Sequence, residues 1–153
     1  MPIKVLLVED NPGDVRLTRE VLLATNRSIH LLVANDGEEA VAMLKRDGAK
    51  AHAPHPDLIL LDLNLPKMDG REVLARIKAD AELKTIPTVV LTTSDAELDI
   101  AKSYQLQANC YLTKPVQLDA FESIVRSINN FWLTRVKLPA QQQSARTTRS
   151  VDL

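Results

Sequence analysis

A single cysteine, Cys110, is the only thiol in this chain. That excludes an intrachain disulfide and any cysteine-cluster metal site. Aromatics are nearly as scarce: two Phe, two Tyr and one Trp leave little for a base-stacking or sugar-stacking surface. Neither sign of charge predominates. Nineteen basic residues stand against 20 acidic ones, a formal net charge of -1, so the basic excess of a nucleic-acid binder is missing. No apolar run approaches the length of a membrane span. The N-terminus meets Glu9 and Asp10 after a few apolar residues, without a signal peptide's long apolar region or cleavage site. These absences lead us to expect a cytoplasmic protein that contacts neither membrane nor nucleic acid.

What is present suits one domain of ordinary composition. The 153 residues are 45% hydrophobic and 25% charged, enough for a real core under a soluble surface. Short apolar runs read as strands at 3–8, 29–34, 58–61, 88–92 and 110–112. Each is followed by apolar residues at helical spacing. Val15, Thr18, Leu22 and Thr25 mark the first helix, with Leu17 and Val21 widening the stripe; Asn11 and Asp14 are both suited to cap it. Ala40, Val41 and Leu44 mark a helix at 38–46, and Val73, Leu74 and Ile77 one at 71–79. A fourth covers about 96–104, with Ser94 or Asp95 as its cap. The last covers about 118–132, with Phe121, Ile124, Val125 and Ile128 inward. Residues 47–56 hold Gly48, Pro54 and Pro56 and read as a surface loop. Cys110 reads as a buried strand residue, and His30, His52 and His55 as surface residues.

Strict βα alternation implies a parallel sheet with helices on both faces. Two strand orders suit it: a flavodoxin-like (βα)5 sheet, 2-1-3-4-5, and a Rossmann order. The Rossmann option needs glycine-rich phosphate binding after the first strand. Here that position reads Val8-Glu9-Asp10-Asn11-Pro12-Gly13, which is acidic and favours a cation.

Parallel strands present their C-terminal ends on one rim. The first delivers Glu9 and Asp10, the third Asp62 with Asn64 two residues on, the fourth Thr92 and then Ser94, the fifth Lys114. In the 2-1-3-4-5 order the first and third strands are neighbours, so Glu9, Asp10 and Asp62 converge. Like charges in contact cost about 4 kcal/mol per pair at an effective dielectric near 20. Such a cluster takes up protons or a divalent cation. Oxygen-only ligands, few of them from protein, fit Mg²⁺ better than Ca²⁺. A carboxylate beside a metal and a lysine can attack phosphorus, giving an aspartyl phosphate on Asp62, with Thr92 and Lys114 stabilising the transferring oxygens.

At these residues the chain resembles the receiver domain of two-component response regulators. The matching motifs are Leu-Val-Glu-Asp-Asn from Leu7, Pro-Asp-Leu-Ile-Leu-Leu-Asp-Leu-Asn-Leu-Pro-Lys-Met-Asp-Gly from Pro56, Leu-Thr-Thr-Ser from Leu91 and Tyr-Leu-Thr-Lys-Pro from Tyr111. The resemblance implies that Asp62 accepts a phosphoryl group from a histidine kinase. It implies that Asp10, Asp62 and the Asn64 backbone carbonyl bind Mg²⁺, with Glu9 acting mainly through water. Thr92 and Lys114 would contact the phosphoryl group, and Thr92 and Tyr111 would switch with it. Asn64 and Ser94 flank the path of an attacking water and are expected to tune dephosphorylation. Thr93, where the family usually has Ala or Gly, and Val116, where Phe is frequent, depart from the pattern.

Shorter stretches resemble single-domain regulators paired with cyanobacterial and bacterial phytochromes. They include Asn11-Pro12-Gly13-Asp14-Val15-Arg16-Leu17, Ala108-Asn109-Cys110-Tyr111 and Phe131-Trp132-Leu133. The resemblance implies a phytochrome kinase as phosphodonor and a homodimer. We expect a receiver domain over 1–130 and a C-terminal extension over 131–153, with no room for an effector domain. Phe131, Trp132 and Leu133 are either a plug on the core or, with Tyr104, a dimer contact. Output would be protein–protein contact, with a phosphate sink or relay as the alternative. Two other readings are weaker. An Asp-nucleophile phosphohydrolase of the haloacid-dehalogenase type needs an acid where Asn64 stands, and a flavin carrier needs aromatics and a less acidic rim.

Overall fold

In the computed structural model, which describes residues 2–25, 28–93, 96–133, Lys137 and Pro139, one parallel sheet runs through the chain. Its strands are β1 (Ile3–Val8), β2 (Ile29–Ala34), β3 (Leu58–Leu61), β4 (Thr88–Thr92) and β5 (Cys110–Thr113), in the order β2-β1-β3-β4-β5. The helices are α1 (Pro12–Thr25), α2 (Gly37–Lys45), α3 (Gly70–Ala79), α4 (Glu97–Gln105) and α5 (Leu118–Trp132). This is the flavodoxin-like topology expected from the alternation. The loop at 47–56 contains a short 3₁₀ turn, Gly48–Lys50, and a second one lies at Leu83–Thr85.

Leu58, Ile59, Leu60 and Leu61 are all fully buried because β3 is the central strand and both its faces are covered. Burying side chains of this size stabilises the fold by about 2 kcal/mol each. Alternation sorts them into two cores. Ile59 and Leu61 join Val73, Leu74 and Ile77 of α3; Leu58 and Leu60 join Leu22 of α1 and Phe121, Val125 and Ile128 of α5.

Edge positions behave differently from the reading of their apolar runs. Cys110 is half-buried, not buried, because β5 has a neighbour on one side only. Burial still pushes its thiol pKa up. His30 and His52 are exposed as expected, but His55 is half-buried, with Nδ1 3.4 Å from the Pro56 carbonyl oxygen.

Helix starts place the rim residues. Asn11 caps α1: its Oδ1 accepts from the Gly13 and Asp14 amides at 2.9 and 3.1 Å. The Asp14 side chain is therefore not the cap. Asp36 caps α2 through the Glu39 amide, and Asp69 caps α3 through the Arg71 amide, each at 2.8 Å. Ser94 and Asp95, the caps expected for α4, lie outside the described residues.

Both α2 and α3 begin one residue earlier than their periodicity predicts, at glycines. A Cβ on Gly70 would sit 2.2 Å from the Asp62 carbonyl oxygen, and one on Gly37 would sit 2.1 Å from that of Met68. The absent side chains let both helix starts close on the loop after β3. Lys67 in that loop has φ 66°, a left-handed conformation, with Nζ 3.6 Å from Asp36 Oδ2.

Candidate functional site

Register brings the rim residues together. Val8 pairs with Leu61, so Glu9 and Asp62 leave adjacent strands at the same level. The ladder continues past both strands: the Asp62 amide donates to the Val8 carbonyl and the Glu9 amide to that of Ala34, each at 3.0 Å. On the other side Thr92 pairs with Thr113, and the Lys114 amide donates to the Thr92 carbonyl at 2.6 Å. Glu9, Asp62 and Lys114 are nearly inaccessible, at 2%, 8% and 7% exposure, while Asp10 is exposed.

Lys114 is the hub. Its Nζ lies 2.5 Å from Glu9 Oε1, 3.0 Å from Asp14 Oδ2 and 3.2 Å from Asp62 Oδ2. Burial by itself would lower the Lys114 pKa. The bond to Glu9 and the charges of Glu9 and Asp62, with the bond to Asp14, reverse that and hold the ammonium above its ordinary value. Asp14 is the member that inspection of strand ends misses, because it reaches the site from the first turn of α1.

The two buried carboxyls divide their protonation. Desolvation is the largest cause raising Glu9, followed by the Asp62 carboxyl; Lys114 opposes both, and the result is about 9. Asp62 is pushed up by burial but held below the ordinary carboxylate range by the Glu9 carboxyl, Lys114, the Thr92 hydroxyl and the Asn64 amide. The two carboxyls titrate as a coupled pair, in which burial favours the proton on Glu9 and the surrounding donors favour the anion on Asp62.

One oxygen of each of Glu9, Asp10 and Asp62 falls within 4.8 Å of the others. Glu9 Oε2 is buried without a hydrogen-bond partner, which a cation or its water would supply. Oxygen donors of this kind fit a hard divalent ion. Thr92 Oγ1 is likewise buried and unpartnered: it is near enough to favour the Asp62 carboxylate but falls short of a hydrogen bond.

The other residues singled out lie around this centre. The Asn64 amide donates to Asp62 Oδ1 at 3.2 Å, and its exposed side-chain Nδ2 meets Thr93 Oγ1 at 3.5 Å. Tyr111 is half-buried against the α3 side of the core. Tyr104 and Phe131 are 51% and 57% exposed, whereas Trp132 packs against the α1–α5 core and Leu133 is buried in it. The Phe131 and Trp132 rings meet edge to face at 5.6 Å. The C-terminal apolar residues thus divide between plug and surface. Ser94, expected beside the water path, lies outside the described residues.

A parallel (βα)5 sheet with acids, a hydroxyl and a lysine on one rim is the architecture of a receiver domain, and the chain belongs to the response regulator receiver domain family, whose profile matches residues 5–126. Response regulator Rcp1 of Synechocystis sp. (strain ATCC 27184 / PCC 6803 / Kazusa) is 51% identical over 139 residues, 91% of this chain and 95% of that protein. The crystal structure of Mn²⁺-bound Rcp1 matches with a TM-score of 0.88 over 90% of this chain and 99% of that one. The phosphorylated cyanobacterial phytochrome response regulator RcpA, also 51% identical, gives 0.88 over 91% and 99%. The bacteriophytochrome response regulator AtBRR, 38% identical, gives 0.69 over the same shares. Among the described residues, no helix is long and apolar enough to cross a membrane.

Proposed function

We propose that Asp62 is the phosphoacceptor of this response regulator, taking a phosphoryl group from a histidine kinase in a Mg²⁺-dependent reaction. The observation that carries the proposal is the buried Asp62 anion, 3.2 Å from the Lys114 ammonium beside two further acids on the same rim. Glu9, Asp10, Asp62 and the Asn64 backbone carbonyl are the metal-binding set. When bound, Mg²⁺ offsets the charge of the acids and of the transferring phosphoryl oxygens.

The chain's own groups do the rest. An Asp62 oxygen attacks phosphorus; a P–O bond forms as the P–N bond to the kinase's imidazole breaks, and the imidazole nitrogen leaves with the electron pair. Lys114, which already lies 3.2 Å from Asp62, donates to a phosphoryl oxygen. Thr92 offers that group a hydroxyl that lacks any other partner. Thr92 and Tyr111 form the switch, and Asn64 and Ser94 tune loss of the phosphoryl group to water.

The receiver domain is assigned to 1–130 and the extension to 131–153. Exposed Tyr104 and Phe131, with Trp132 behind, support a homodimer contact. The kinase is proposed to be a phytochrome, supported by likeness to RcpA and AtBRR, and the location cytoplasmic. Mg²⁺-dependent labelling by acetyl phosphate, abolished in Asp62→Asn, is the expected result; equal labelling of that variant refutes the assignment. Sedimentation with and without phosphorylation reads the dimer.

A further inference from the structure

Lys114 has no hydrogen-bonding capacity to spare. An ammonium has three N–H donors, and Glu9, Asp14 and Asp62 engage it at 2.5, 3.0 and 3.2 Å. To grip a phosphoryl oxygen it must release an acceptor. Glu9 is buried and shared with the metal-binding set, and Asp62 is the reacting group itself. Asp14 is different. It is half-buried at the solvent edge of α1, outside the metal-binding set, and the α1 cap is supplied by Asn11.

We infer that Asp14 is a positioning residue that holds Lys114 from the α1 side and competes with an incoming phosphoryl group for its third proton. The inference rests on Asp62 being the phosphoacceptor. Asp14 contributes a negative charge next to the lysine that must receive an anionic phosphodonor. It therefore weakens engagement of small anionic donors and leaves the attacking oxygen untouched. Its partial exposure gives the carboxylate a place to go: once released, it is solvated by water, so the exchange strands no buried charge.

The test uses the full chain with Mg²⁺ and acetyl phosphate as donor, following labelling rate against donor concentration. For Asp14→Asn and Asp14→Ala, loss of one neighbouring, partly screened charge should raise the rate at low donor on the order of fivefold. The rate at saturating donor should stay within about twofold, and Asp14→Glu should stay close to the parent at both ends. Thermal midpoints of the three variants show whether they remain folded. An unchanged rate at low donor, or a fall at saturating donor alone, overturns the role of Asp14 while labelling of Asp62 in the parent still stands. A parent that does not label on Asp62 overturns both.

Discussion

Arg71 on α3 holds Asp99 on α4 with two nitrogens of its guanidinium: Nε lies 2.9 Å from Oδ1, and Nη2 lies 2.7 Å from Oδ2. Its Nη1 turns back to the Asp69 cap at 3.1 Å. A planar fork matched to a carboxylate is the ion pair best able to fix geometry. Arg71 follows Gly70 directly, so the clamp ties the helix start beside Asp62 to the helix that follows Thr92.

Removing the fork should cost little stability but leave a measurable coupling. Arg71→Ala is expected to destabilise the protein by about 1 kcal/mol, since both partners are half-buried. That corresponds to a fall of roughly 2–4 °C in thermal midpoint. Asp99→Asn should cost a similar amount, and the double variant less than the sum. Strict additivity in this cycle would mean that the pair contributes nothing as a pair.

Glu9 predicts how metal binding depends on pH. Its folded pKa is raised to about 9 from 4.5. Between those values the metal-free fold binds more protons than the unfolded chain, so stability should fall as pH rises through that window. If Glu9 holds the metal as proposed, Mg²⁺ displaces that proton, so its affinity should rise with pH up to about 9 with proton uptake by the buffer. Titration calorimetry in buffers of different ionisation enthalpy reads the proton release directly. Affinity that is flat with pH, and equal in Glu9→Gln, would rule out Glu9 as the proton carrier.

Thr92 should separate stability from function. Its hydroxyl is buried without a partner, so Thr92→Val keeps the shape and deletes an unsatisfied polar group. Because that hydroxyl also favours the Asp62 carboxylate, the two effects oppose each other, and the unphosphorylated protein should unfold within about 1 kcal/mol of the parent. Labelling by acetyl phosphate should slow by roughly tenfold, because the phosphoryl group loses a donor. A variant that falls well outside that range yet labels at the parent rate would contradict both halves.

The strand ends could be read from the sequence because apolar runs mark where each strand stops, and a parallel sheet aligns those stops. Glu9, Asp62, Thr92 and Lys114 all belong to that class. Asp14 does not: it comes round the first turn of a helix, and its aim depends on Asn11 taking the cap. Arg71 and Asp99 carry no periodic signal, being surface charges 28 positions apart that meet only once two helices are packed. The exposure of Cys110 was hidden for another reason. An apolar run shows a strand, but not that the strand lies at the edge. Nothing periodic marks Gly37 and Gly70 either, because their task is to leave space for backbone that only the packed loop brings close.

That space has a consequence for how the domain can be altered. Where Gly37 and Gly70 stand, a single added carbon would meet backbone at 2.1 and 2.2 Å, so the loop after Asp62 is fixed in place by two helices. Residues 64 and 93, by contrast, are exposed, and the tips of their side chains meet at 3.5 Å. Substitutions there can change what surrounds the Asp62 carboxylate without disturbing the frame that holds it. The approach to that carboxylate can thus be refitted from the surface, with no need to rebuild the core.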